Sequence, residues 1–205
     1  MKSWPKMKKN KPKTRIKPFL FGEVLMNRNR ELQIRNAACE LLEETGSDFY
    51  NAISVNQLLW NISKYKISCM STYLHGLDGF TVYDIEHDKY LILISPKSFN
   101  RKKFTVAHEL GHIYLGHLKH YKNSTTINSK HLENEANLFA EELLMPTLGI
   151  ILTGLNTADE ITVHYAVSLE SAKIKLSNLE KNVLYKDYME HIDLLGEIAV
   201  MGKMY

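Results

Sequence analysis

A chain of 205 residues is long enough for one domain with a sizeable core, or for a compact core with an appendage. Its 44% hydrophobic and 24% charged content is ordinary globular composition and excludes a chain disordered throughout. No apolar run approaches the roughly 18 residues of a membrane span, and 2 cysteines make neither a disulfide framework nor a C-x-x-C metal site. The net charge of +3 is unevenly spread: residues 1–18 hold eight basic side chains and no acid, leaving about −5 on residues 19–205.

Residues 1–18 (MKSWPKMKKNKPKTRIKP) are rich in lysine and proline and have no periodic apolar face, which predicts a flexible basic tail. Such a tail attracts nucleic acid or an acidic partner non-specifically, but it carries no DNA-reading motif, so nucleic acid is not the favoured partner. Phe19 to Glu23 is too short and too soon acidic for a secretory segment. With Cys39 and Cys69 read as reduced, buried thiols, the expected location is the cytoplasm.

From Asn29 to Glu44 the recurrence of Leu32, Ile34, Ala38, Leu41 and Leu42 predicts a helix stopped at Gly46. A second helix is predicted over Val55–Ser63. The period then shortens: Tyr65–Tyr73, Phe80–Ile85 and Tyr90–Ile94 are β-branched and aromatic, separated by turn signals, and predict a small antiparallel sheet. A helix carrying the run FTVAHELGHIYLGH follows Ser95-Pro96, with Ser98 or Asn100 as its cap. Residues 122–129 are polar and non-periodic, a loop. Another helix is predicted over Lys130–Met145 and ended by Pro146. Helical patterns recur over Thr157–His164 and, capped by Ser168, over Leu169–Leu179, while the last 25 or so residues are weakly patterned.

Within that run, His108-Glu109-Leu110-Gly111-His112 is an H-E-x-x-H pattern. On a helix, residues four apart share a face, so both imidazoles reach one metal ion, and Glu109 is placed to address a water beside the metal. The apolar recurrence of Val106, Ala107, Leu110, Ile113, Tyr114 and Leu118 puts the pattern on a helix, where it has chemical meaning. Catalytic zinc takes three protein ligands. The extended form with glycine at 115 and histidine at 118 is not met, for both positions are leucine. His117 points away from His108 on a continuous helix and is set aside.

A carboxylate from the downstream helix is the other source. Glu133 and Glu135 border opposite sides of the apolar stripe of Leu132, Ala136, Phe139, Ala140 and Leu143, and helical geometry alone leaves the two unresolved. Gly111, between the ligands, allows another backbone or a substrate to come close. His131, His164 and nearby tyrosines are candidate oxyanion donors.

The pair FTVAHELGHIYLGH and ENEANLFAEELLMP resembles the ImmA/IrrE family of zinc metallopeptidases, specifically over about residues 80–146 and more weakly over 155–179. The resemblance implies an α+β fold, a mostly helical zincin-like core with the small sheet ahead of the motif helix. It implies one zinc ion held by His108, His112 and Glu135, with Glu109 as the catalytic glutamate. It also implies an intracellular regulatory endopeptidase that cleaves or inactivates a helix-turn-helix repressor of a phage or mobile element, here a separate protein. The alternative is a non-proteolytic zinc-containing regulator that binds a repressor, an antitoxin or nucleic acid. Structural zinc normally has four protein ligands, and no fourth is evident, which favours catalysis. The expected organisation is a tail over 1–18, the metallopeptidase domain over 19–180, and a C-terminal segment over 181–205.

Overall fold

The computed structural model describes residues 19–96, 99–120 and 129–181. The predicted tail, the loop over 122–128, Ser98 and residues 182–205 lie outside the described residues. The first helix, α1, spans Phe19–Glu44 and starts earlier than the predicted Asn29, because nothing but Gly22 interrupts helix-compatible residues after Pro18. Gly46 ends it at φ 65°, with the Ser47 amide donating back to the Leu42 carbonyl at 2.9 Å. Helix α2, Val55–Asn61, is capped by the Ser54 side chain, which accepts from the Gln57 amide.

Three strands follow: β1 (Ile67–Ser71), β2 (Gly79–Asp84) and β3 (Lys89–Ile94). They form one sheet in the order β1-β3-β2. β2 pairs antiparallel with β3, Gly79 opposite Ile94, whereas β1 pairs parallel with β3, Ile67 opposite Tyr90. The expected antiparallel sheet is therefore mixed. The connection from Thr72 to Asp78 turns at His75 and Gly76 (φ 41° and 99°) and is long enough to skip one strand position. This leaves the centre to the most apolar strand. In β3, Tyr90, Ile92 and Ile94 alternate inward to the core, the period of two expected of a strand.

Helix α3 (Phe99–Tyr114) packs against β2 and β3 on one side and α5 (Ser129–Leu144) on the other, with α1 packed against α5. A short helix, α4 (His117–His120), lies between α3 and α5. The core interlocks Ala38, Leu41 and Leu42 of α1, Ala107, Leu110 and Ile113 of α3, and Phe139, Ala140 and Leu143 of α5. Each fully buried Leu or Phe contributes about 1.5–3 kcal/mol. Lys130–Thr153 contains an 18-residue stretch that by length and composition is apolar enough to cross a membrane, and 61% of that stretch is buried inside the protein.

The chain closes with α6 (Thr147–Thr153), α7 (Ala158–Tyr165) and α8 (Leu169–Lys181). Thr157 caps α7 in a capping box with Glu160. Two buried lysines join these helices to the core. Lys103 of α3 donates to the Tyr165 carbonyl at 2.8 Å, and Lys175 of α8 donates to Glu142 of α5 at 2.8 Å. Both cysteines are free, Cys39 half-buried and Cys69 exposed, so the expectation of two buried thiols is met at neither position in full.

Candidate metal centre and active site

Helical spacing puts His108 and His112 on one face of α3, with their Nε2 atoms 3.1 Å apart. Across from them, α5 presents Glu133: one carboxylate oxygen lies 3.1 Å from His108 Nε2 and the other 3.4 Å from His112 Nε2. These three side chains could hold a metal ion, for their donor atoms all lie within 4.8 Å of one another. Zinc–ligand bonds of about 2.0–2.1 Å at tetrahedral angles separate neighbouring donors by about 3.3 Å, so the donor set fits such an ion.

The resemblance implied Glu135 as the third ligand, and the structure does not bring Glu135 to the pair. Its carboxylate turns to the other flank of α5, where it accepts from Arg30 Nε at 2.9 Å and Nη2 at 2.5 Å. His117 Nε2 and His131 Nε2 each approach it at 3.1 Å. Two residues apart on a helix is about 200°, so the two glutamates leave α5 on opposite sides, and it is Glu133 that lies beside the two imidazoles. Burial alone would raise the Glu135 pKa, but Arg30 and His117 hold it below the ordinary value.

Both imidazoles have partners behind them. His108 Nδ1 lies 2.9 Å from Asn137 Oδ1, and His112 Nδ1 lies 3.0 Å from His117 Nδ1. With Nδ1 engaged in this way, each Nε2 is left to the cluster. Burial, with the neighbouring His108 and His117, pushes the His112 pKa down to about 3, so the ring is neutral and its lone pair is available. His117 returns here because α3 stops at Tyr114 and Gly116 takes φ 72°, folding the chain back where a continuous helix would carry it away.

Glu109 is 6% exposed and accepts a hydrogen bond from Thr81 Oγ1 of β2 at 2.7 Å. Burial raises its pKa above the ordinary carboxylate value, against the Thr81 hydrogen bond and His108. The cluster opens on a cleft of about 1240 Å³ walled by β2 from Gly79 to Tyr83, by Arg101, Phe104 and Thr105, and by Leu118, Glu133 and Asn137. Arg101 pairs with Asp78 at its mouth. Neither His131 nor His164 lines the cleft; His131 is held by Glu135, and His164 contacts the Tyr50 carbonyl. Tyr83 does line it, with its hydroxyl donating to Asp88 at 2.7 Å.

Gly111 sits where α3 and α5 come closest. A Cβ there would lie 3.1 Å from Ala136 Cα and 3.2 Å from its carbonyl oxygen, so the backbone it admits is that of α5. Asn137 carried a legible signal, being one turn after Glu133 and therefore on its face. Thr81 and Arg30 had none, because their roles arise from contacts with distant elements.

The chain matches the family model Peptidase_M78, described as the IrrE N-terminal-like domain, over residues 70–177. It is similar to immunity region protein 2 of Bacillus phage phi105, 32% identical over 135 residues that make up 62% of this chain and 77% of that protein. Its fold is similar to that of a Mycobacterium tuberculosis transcriptional regulator, with a TM-score of 0.56 at 16% identity over 74% of this chain. It spans 48% of that regulator's length, and the likeness is one of fold.

Proposed function

The chain belongs to the Peptidase_M78, IrrE N-terminal-like family, and on that premise we propose that it is a cytoplasmic zinc metalloendopeptidase with a regulatory substrate. His108, His112 and Glu133 hold the ion, and Glu109 is the catalytic base. The observation that carries this reading is the Nε2–Nε2–carboxylate triangle at the floor of a cleft, with separations of 3.1–3.4 Å and Glu109 beside it. Zinc bound there supplies Lewis acidity toward the scissile carbonyl and toward water. Glu109 takes a proton from the attacking water and returns it to the leaving amine nitrogen. Its raised pKa suits both halves of that task.

The substrate enters as an extended strand. Strand β2 is an edge of the sheet and forms one wall of the cleft, so a peptide adding to it gains main-chain hydrogen bonds while its side chains meet Phe104 and Leu118. The similarity to a phage immunity-region protein supports a repressor of the helix-turn-helix type, carried by a phage or mobile element, as the protein cut. The test is to incubate zinc-loaded chain with candidate helix-turn-helix repressors and to analyse the products by mass spectrometry. Wild type should cleave at one site, and Glu109→Gln should bind equal zinc and cleave nothing. Intact repressor together with full relief of repression in cells by Glu109→Gln would make the chain a binding regulator.

A further inference from the structure

Behind His112, on the side away from the cleft, three elements contribute a continuous line of polar side chains. His112 Nδ1 meets His117 Nδ1 at 3.0 Å, His117 Nε2 meets Glu135 Oε2 at 3.1 Å, and Arg30 of α1 grips both oxygens of Glu135. His117 is 1% and Glu135 5% exposed, so water does not stand in for any of these partners. A polar line this deep in a core is costly unless each member is satisfied, and here each is.

The direction of the hydrogen bonds can be read from the far end. Arg30 only donates, so Glu135 is an acceptor and is already charge-paired. His117 Nε2 must then carry the proton it gives to Glu135. With Glu135 neutralised by Arg30, a neutral His117 suffices, and its Nδ1 is a bare acceptor. The proton in the 3.0 Å contact therefore belongs to His112 Nδ1, and His112 Nε2 is left bare, facing His108 and Glu133. Reversal at any link would place a proton on the Nε2 atom that faces the cluster.

We propose that His117, Glu135 and Arg30 are positioning residues that lock the ring and tautomer of His112 and so set the affinity of the metal site. This rests on the reading of His108, His112 and Glu133 as ligands, and it gives Glu135 a role distinct from ligation. It also couples the site to α1, none of whose described residues lines the cleft. Carboxylate-backed histidine ligands are oriented and made more basic by such partners, whose loss weakens metal binding about 10–100-fold.

The experiment measures zinc affinity of the full chain by competition with a chromophoric chelator, together with the ring N–H signals of the zinc-loaded protein by NMR. Wild type should show a slowly exchanging N–H on His112 Nδ1. His117→Leu, which keeps bulk and removes both nitrogens, should lose that signal and bind about 10–100-fold more weakly. His117→Gln, which retains an acceptor and a donor, should recover most of the affinity. Should His117→Leu fail to fold, Glu135→Gln and the half-exposed Arg30→Met carry the test, each expected near the lower end, about 10-fold. Folded variants that bind zinc as wild type does overturn the positioning role alone. No zinc binding by the wild-type chain overturns the metal reading and this proposal with it.

Discussion

Replacing Glu142 by glutamine removes the carboxylate around which α1, α5 and α8 are joined. Lys175 is 0% and Glu142 2% exposed, and their contact is 2.8 Å; Arg35 reaches the same oxygen at 2.5 Å. Breaking a buried pair by removing one partner costs about 3–5 kcal/mol, because the other charge is left uncompensated. Glu141, 3.7 Å from Lys175, remains as partial compensation, which places the expected loss near about 3 kcal/mol. At about 2–4 °C per kcal/mol for a domain of this size, Tm should fall by about 6–12 °C.

The pH dependence has a definite sign. Burial alone would raise the Glu142 pKa, but Lys175 and Arg35 hold it at about 2, below its ordinary 4.5. Stability from a depressed carboxylate is present above the unfolded pKa and lost as pH falls through the folded one. The gap between wild type and Glu142→Gln should thus be full at pH 7 and shrink between about pH 4.5 and 2. Denaturant melts at several pH values measure it, and the pair Glu142→Gln with Lys175→Met should recover part of the loss. A single variant within about 0.5 kcal/mol of wild type at pH 7, the range of ordinary surface changes, would refute the reasoning.

Glu133→Gln should weaken zinc binding by more than the roughly 100-fold ceiling of outer partners, and Glu135→Gln by less; the opposite order in chelator competition would return the ligand role to Glu135. Thr81→Val removes a hydrogen bond to a charged group worth about 1.5–3 kcal/mol and should lower peptidase activity at neutral pH about 10-fold or more. That bond favours the Glu109 carboxylate, so its loss raises the pKa further, and the deficit should narrow as pH rises. An acid limb of the pH–rate profile at its wild-type position would count against Thr81 acting through Glu109. Gly111→Ala forces α3 and α5 apart, costing about 1–3 kcal/mol of overpacking against up to about 1 kcal/mol gained in helix propensity. A net loss of about 1–2 kcal/mol by thermal melt is expected, and a stabilised variant would mean that α5 yields freely.

What could be read from the chain itself were the features that depend on neighbours in sequence. The 3.6-residue period placed His108 and His112 on one helix face with Glu109 beside them. It also marked the apolar stripe of α5, and Ser168 announced the helix that follows it. The order of the sheet, the glutamate that meets the two histidines and the return of His117 depended on how separate elements meet. Glu133 and Glu135 flank the same stripe on opposite sides, and nothing local says on which side α3 will lie. Close contact at Gly111 and Ala136 decides it, bringing Glu133 to the histidines and leaving Glu135 to Arg30. His117 was set aside on the assumption of an unbroken helix, whereas Gly116 at φ 72° turns it back onto His112. The motif and its helical face were thus determined by sequence alone, because helical geometry is local. The glutamate that faces the two histidines, and the line of side chains behind His112, were decided by tertiary structure, because only packing chooses between two faces of the same helix.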